Sequence, residues 1–123
     1  MKVEWINRKE KDGCVTFSTA GLTLNIIALR AIGECQYAMI GIDKENKRLL
    51  IKPISNNHVV RNDIDPNSLY KVSFSRSYGR ISSIDLISSI EEGIGIQVID
   101  RKFISKWDEK ENVLLVDFKK EVK

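Results

Sequence analysis

Two prolines, two cysteines and one histidine stand in a chain of 123 residues, and each shortage closes off a class of protein. With only seven glycines besides, there is no Pro-rich or Gly-rich linker and no low-complexity tract, so residues 1–123 read as a single domain. Cys14 and Cys35 are too few for a disulfide scaffold and are not spaced like metal ligands. They read as reduced thiols, which points to the cytoplasm. His58 sits alone in a polar stretch, leaving neither a metal cluster nor a base for a cysteine nucleophile. No segment approaches the roughly 18 consecutive apolar residues of a membrane span. The opening Met1-Lys2-Val3-Glu4-Trp5 also lacks the pattern of a secretory leader. Phosphate-cradling glycine motifs and a nucleophile elbow are missing too, since Gly93-Ile94-Gly95 reads as a helix stop running into a strand. No catalytic residue, metal or cofactor is therefore expected, and no membrane partner.

What is present describes a folded domain. Hydrophobic residues make up 42% and charged residues 30%, well away from the composition of disorder. Twenty Lys and Arg against seventeen Asp and Glu leave a net charge of +3, which permits nucleic-acid binding without demanding it. Glu45, Glu109 and Glu111 fall beside lysines in polar turns and read as solvated charge. Trp5 and Trp107, with Val3, Ile6 and Ile104 as neighbours, read as core or rim packing.

Period-two apolar patterns and turn residues divide the chain into short elements. A strand at 3–7 and another from Cys14 are expected to form a hairpin around the charged turn 8–13. A short helix follows at 26–32, capped by Asn25 and stopped by Gly33. Strands at 36–42 and 48–53 form a hairpin about residues 43–47. The polar stretch 54–69, turning at Asp65-Pro66-Asn67, marks the midpoint. A strand at 70–74 comes next, then a helix from residue 83 with Ser82 and Asp85 at capping-box spacing and Gly93 as its stop. Residues 94–105 and 113–118 read as strands about a polar turn, and 119–123 as a frayed tail.

The second half repeats the grammar of the first. Phe17-Ser18 before Gly21 matches Phe74-Ser75 before Gly79, an offset of 57 to 58 (74 − 17 and 79 − 21). Lys44-Glu45-Asn46 before Leu49-Leu50-Ile51 matches Lys110-Glu111-Asn112 before Leu114-Leu115-Val116, an offset of 65 (114 − 49). Several extra residues must therefore lie within 91–107. The fold expected is mainly β (α+β), with two copies of strand, short helix and β-hairpin at about 14–53 and 70–118. One such unit cannot bury its own apolar face and is stabilised by its copy. Together they would close a barrel and leave no strand edge open.

The stretch Gly21-Leu22-Thr23-Leu24-Asn25-Ile26-Ile27-Ala28-Leu29-Arg30-Ala31-Ile32-Gly33, with the hairpin ending Leu49-Leu50-Ile51-Lys52-Pro53, resembles the swapped-hairpin domains of the AbrB/MazE/SpoVT type. Gly79-Arg80-Ile81-Ser82-Ser83 resembles the same opening segment in the second half. Where the family has a proline there, this chain has Asn25 and Ser83 nearby, and Leu22 replaces the first-half arginine. Two such units normally come from two chains, so the resemblance implies a single-chain pseudo-dimer, monomeric or paired again as a homodimer. It also implies a DNA-binding transcriptional regulator or antitoxin-like protein, with double-stranded DNA as partner. By family position Arg30, Arg76 and Arg80 would face the DNA. Independently, Arg76 and Arg80 bracket Tyr78 in a hydroxyl-rich loop suited to phosphate contact. Lys71, Lys9 and Lys11 supply peripheral charge. The other reading is a non-catalytic interaction module that kept the barrel, lost DNA binding and has a protein partner.

Overall fold

The computed structural model describes residues 1–6, 11–54 and 65–122. Val15 and Phe17 are wholly buried while Thr16 between them is exposed, the alternation of a strand with one face on a core. The same logic builds nine strands and two helices among the described residues. In chain order they are β1 (Gly13–Ser18), β2 (Gly21–Asn25), α1 (Ile26–Ile32), β3 (Tyr37–Asp43), β4 (Arg48–Ile54), β5 (Tyr70–Lys71), β6 (Ser73–Phe74), β7 (Tyr78–Ser82), α2 (Ile84–Ile94), β8 (Lys102–Asp108) and β9 (Val113–Glu121). All pairings are antiparallel, in the order β5-β3-β4-β9-β8-β1-β2-β7-β6.

β5 and β6 are two halves of one stretch, yet they lie at opposite ends of that order. The chain bends at Val72, which is 3% exposed and donates its N–H to the Gln36 carbonyl at 2.8 Å. Residues 70–71 pair with β3, residues 73–74 pair with β7, and the sheet becomes a nearly closed barrel. Its interior is filled by Phe17, Phe103, Leu24, Ile51, Ile81 and Leu114, all under 2% exposed, and both helices lay apolar faces on it.

Two of the ladders are self-complementary at fixed sequence shifts. Across β2 and β7, Leu22 faces Ile81 and Leu24 faces Gly79, so a shift of 57 (80 − 23) maps the ladder onto itself with Thr23 facing Arg80 at its centre. Across β4 and β9, a shift of 65 (115 − 50) does the same with Leu50 facing Leu115. The hairpin turns agree in backbone, since Lys47 and Asn112, 65 apart (112 − 47), are both left-handed with φ 55° and 54°. The buried helix positions Ala28, Leu29 and Ile32 match Leu86, Ile87 and Ile90 at a shift of 58 (86 − 28). One pair departs: Lys71 faces Tyr37, two residues from where the β1–β8 register would place it, beside the bend at Val72.

Several elements differ from expectation. Residues 1–6 form no strand and Trp5 is 84% exposed, because β2 and β8 already occupy both edges of β1. Asn7, the turn residues 8–10 with Lys9, and His58 lie outside the described residues. Asn25 and Gly33 do bound α1, Asn25 accepting the Ala28 N–H at 3.0 Å. Helix α2 is capped by Ser83, whose hydroxyl accepts the Leu86 N–H at 3.2 Å, whereas Ser82 stays in β7 opposite Gly21. It runs past Gly93, where a Cβ would lie 2.6 Å from Ile42, and stops at left-handed Gly95. Residues 95–101 are a strap, so the next strand begins only at Lys102. Residues 119–121 are not frayed, because Glu121 pairs with Arg101 at 2.8 Å and Val122 donates to the Lys102 carbonyl.

Two expectations follow from this packing. At Gly21, φ is +153° and a Cβ would land on the Ile81 carbonyl oxygen, whereas at Gly41 the nearest atom would be 3.8 Å away. Gly21→Ala is expected to cost more than about 2 kcal/mol and Gly41→Ala less than about 0.5, read as urea midpoints at constant m-value. In the β3–β4 turn, Asp43 accepts hydrogen bonds from the Asn46 side chain at 2.9 Å and from Arg48 at 2.8 Å, which hold its carboxyl down from 3.8 to about 2. Because the folded value lies below the unfolded one, this stabilisation is complete above about pH 4 and is lost as pH falls through about 2. A side-chain carboxyl NMR titration should give a midpoint near 2 for Asp43, moving up toward 3.8 in Asn46→Ala.

Candidate functional site

The β6–β7 hairpin turns tightly because Ser75 manages its polar groups. Its N–H donates to the Tyr78 carbonyl at 2.9 Å, and its hydroxyl accepts the N–H groups of Ser77 and Tyr78. Arg76 and Ser77 are thereby held at the tip. Beyond them β7 alternates, with Tyr78, Arg80 and Ser82 exposed and Gly79 and Ile81 buried. Tyr78 and Arg80 therefore share the outer face of the barrel, opposite Asn25 and Thr23 of β2.

Arg76 belongs to a different surface. Together with Arg30 from the last turn of α1, it flanks a depression of about 380 Å³ floored by Phe74, Ile26 and Leu29. A second depression of about 470 Å³ continues from it, sharing Phe74 and Glu34 and adding Ile32, Cys35, Pro53 and Ile54. Phe74 is 47% exposed. Gly79 brings α1 close on this side, since a Cβ there would stand 2.7 Å from Leu29.

The five arginine, tyrosine and lysine candidates thus fall into three places. Arg30 and Arg76 meet across one depression, Tyr78 and Arg80 project from the opposite side of the hairpin, and Lys71 is exposed in β5. The segment 75–80 is not a loop leading into a helix start. All of β7, about 17 Å of strand, separates its tip from α2, whose first free N–H groups are met by Ser83.

The feature that the sequence reading missed is the exposure of Phe74. Cys14 and Cys35 are both buried, and burial pushes the Cys35 thiol above its ordinary value, which disfavours the thiolate. Trp107 packs against the core, as expected. Among the described residues no three His, Cys, Asp or Glu side chains gather as metal ligands, and no helix is long and apolar enough to cross a membrane. Comparison with family models, with curated proteins and with solved structures finds no match to this chain in any of the three.

Proposed function

We propose that the chain is an internally duplicated swapped-hairpin domain of the AbrB/MazE/SpoVT type, acting without catalysis as a DNA-binding transcriptional regulator or antitoxin-like protein. The observation that carries this reading is the register symmetry, in which ladders centred on Thr23–Arg80 and Leu50–Leu115 map onto themselves when the halves are exchanged. It is supported by the cross-pairing of β1 with β8 and of β3 with β5, so that each half completes its sheet with a hairpin strand of the other. In this reading the β6–β7 hairpin meets the phosphate backbone. Arg76 at its tip, Arg80 and Tyr78 on its outer strand and Arg30 behind it supply contacts, and Lys71 and Lys11 supply peripheral charge. One chain then does what two protomers do elsewhere in the family.

A second reading, a non-catalytic module that binds a protein partner, is favoured by one observation. Arg30 and Arg76 surround an aromatic-floored depression instead of joining Tyr78 and Arg80 in one basic face.

Binding to random-sequence duplex DNA at about 50 and 200 mM salt separates the two readings. For the regulator, affinity falls steeply with salt, and an Arg76→Ala, Arg80→Ala double variant flattens the log–log slope by roughly two contacts' worth, about 1.8. A folded protein with no salt-sensitive binding would leave the interaction module standing and sink the regulator.

A further inference from the structure

The depression at Phe74 has a filled counterpart on the same chain. Phe17, 57 positions earlier (74 − 17), is wholly buried. The strap 95–101 crosses it: Phe17 donates its N–H to the Arg101 carbonyl and accepts the Asp100 N–H, both at 2.9 Å. Phe103 and Phe118 pack on the Phe17 ring with centroids at 5.8 and 5.7 Å. On the Phe74 side, α1 reaches β3 through only residues 33–36, and the positions 65 before Phe103 and Phe118 are Ala38 and Pro53. A methyl and a pyrrolidine ring stand where the other half has two phenyl rings. Pro53, Phe74, Ile32 and Ile54 line an open hollow of about 470 Å³ on this side, within the size range of ligand pockets.

The chain also carries an unseated apolar group. Residues 1–6 form an arm off the barrel in which Trp5 is 84% and Ile6 99% exposed. Its charges complement those beside Phe74: Glu4 and Lys2 on the arm, against Arg30, Arg76 and Glu34 around the adjoining depression of about 380 Å³, which shares Phe74 and Glu34 with the hollow.

We propose that the Phe74 hollow is the docking site for the N-terminal arm of a second copy of this chain. Trp5 enters over Phe74, and the arm lies where the strap 95–101 lies over Phe17. Glu4 faces Arg30 and Arg76, and the exchange is reciprocal, giving a closed two-fold dimer. This does not rest on DNA binding.

The test uses the full chain with Trp107→Phe, which leaves Trp5 as the sole indole. From about 5 to 500 μM, the Trp5 emission should shift to the blue in step with a rise from monomer to dimer mass in sedimentation. Phe74→Ser should weaken both changes at least about tenfold, and Trp5→Ser, which alters only the exposed arm, should weaken dimerisation equally. Glu4→Arg should weaken dimerisation and Arg76→Glu on the mixed-in copy should restore it. The proposal is overturned by a monomer at all concentrations, by a blue shift that does not depend on concentration, or by a dimer that forms with Trp5 still in water or survives Trp5→Ser.

Discussion

The architecture depends on the bend at Val72. A sheet of short antiparallel strands has two open edges, and an open edge exposes unpaired backbone groups to any passing strand. Five residues remove both. Residues 70–71 satisfy β3, residues 73–74 satisfy β7, and the buried Val72 side chain with its N–H on Gln36 fixes the corner. The first half has no such corner, because β1 is a continuous strand that pairs with β2 and β8 along its length.

Around the nearly closed barrel, the Phe17 side and the Phe74 side differ in how their volume is filled. Phe17, Phe103 and Phe118 form one cluster, Phe103 edge-on to both of the others and Phe17 tilted against Phe118, with the Arg101 guanidinium 5.1 Å above the Phe103 ring and paired to Glu121. Each aromatic of this kind buries roughly 150–250 Å². The extra chain after α2 adds the cover: Glu91 accepts the Val98 N–H at 2.8 Å, and Val98 is wholly buried. On the Phe74 side the chain after α1 is shorter, Ala38 and Pro53 are small, and Gly79 of β7 lets α1 lie close, since a Cβ there would stand 2.7 Å from Leu29. One side is finished as core and the other is left as surface.

How much of this was legible in the sequence varied with the range of the interaction. α1 was readable to the residue because its signals are local, an Asn25 side chain that reaches its own first turn and a glycine past the last. The two hairpins with left-handed Lys47 and Asn112 were readable for the same reason. Residues 3–6 alternate like a strand, but a pattern does not reveal that both edges of its intended partner are taken. Ser82 and Ser83 are equally good caps by type; the ladder to Gly21 holds Ser82 in β7 and leaves the cap to Ser83. At the site, the identity of the exposed arginines could be read from sequence, but not their division. Strand alternation sends Arg80 and Tyr78 outward, whereas the Ser75 turn and α1 bring Arg76 to Arg30.

That division follows from the symmetry itself. A residue at the centre of a self-paired ladder faces its own counterpart, so Arg80 stands opposite Thr23 and any contact there is shared between the halves. Residues away from the axis answer to counterparts on the far side, and there the halves are free to diverge. Thr19 stands 57 residues before Arg76 and Ser88 stands 58 after Arg30 (76 − 19 and 88 − 30), so neither charge recurs at these shifts, and Arg30 from segment 14–53 meets Arg76 from segment 70–118 at one depression. On this side only residues 33–36 join α1 to β3, with Ala38 and Pro53 beyond them. Arg30 and Arg76, the exposed ring of Phe74 and open volume thus coincide on one side of the barrel, away from the outward-facing Tyr78 and Arg80.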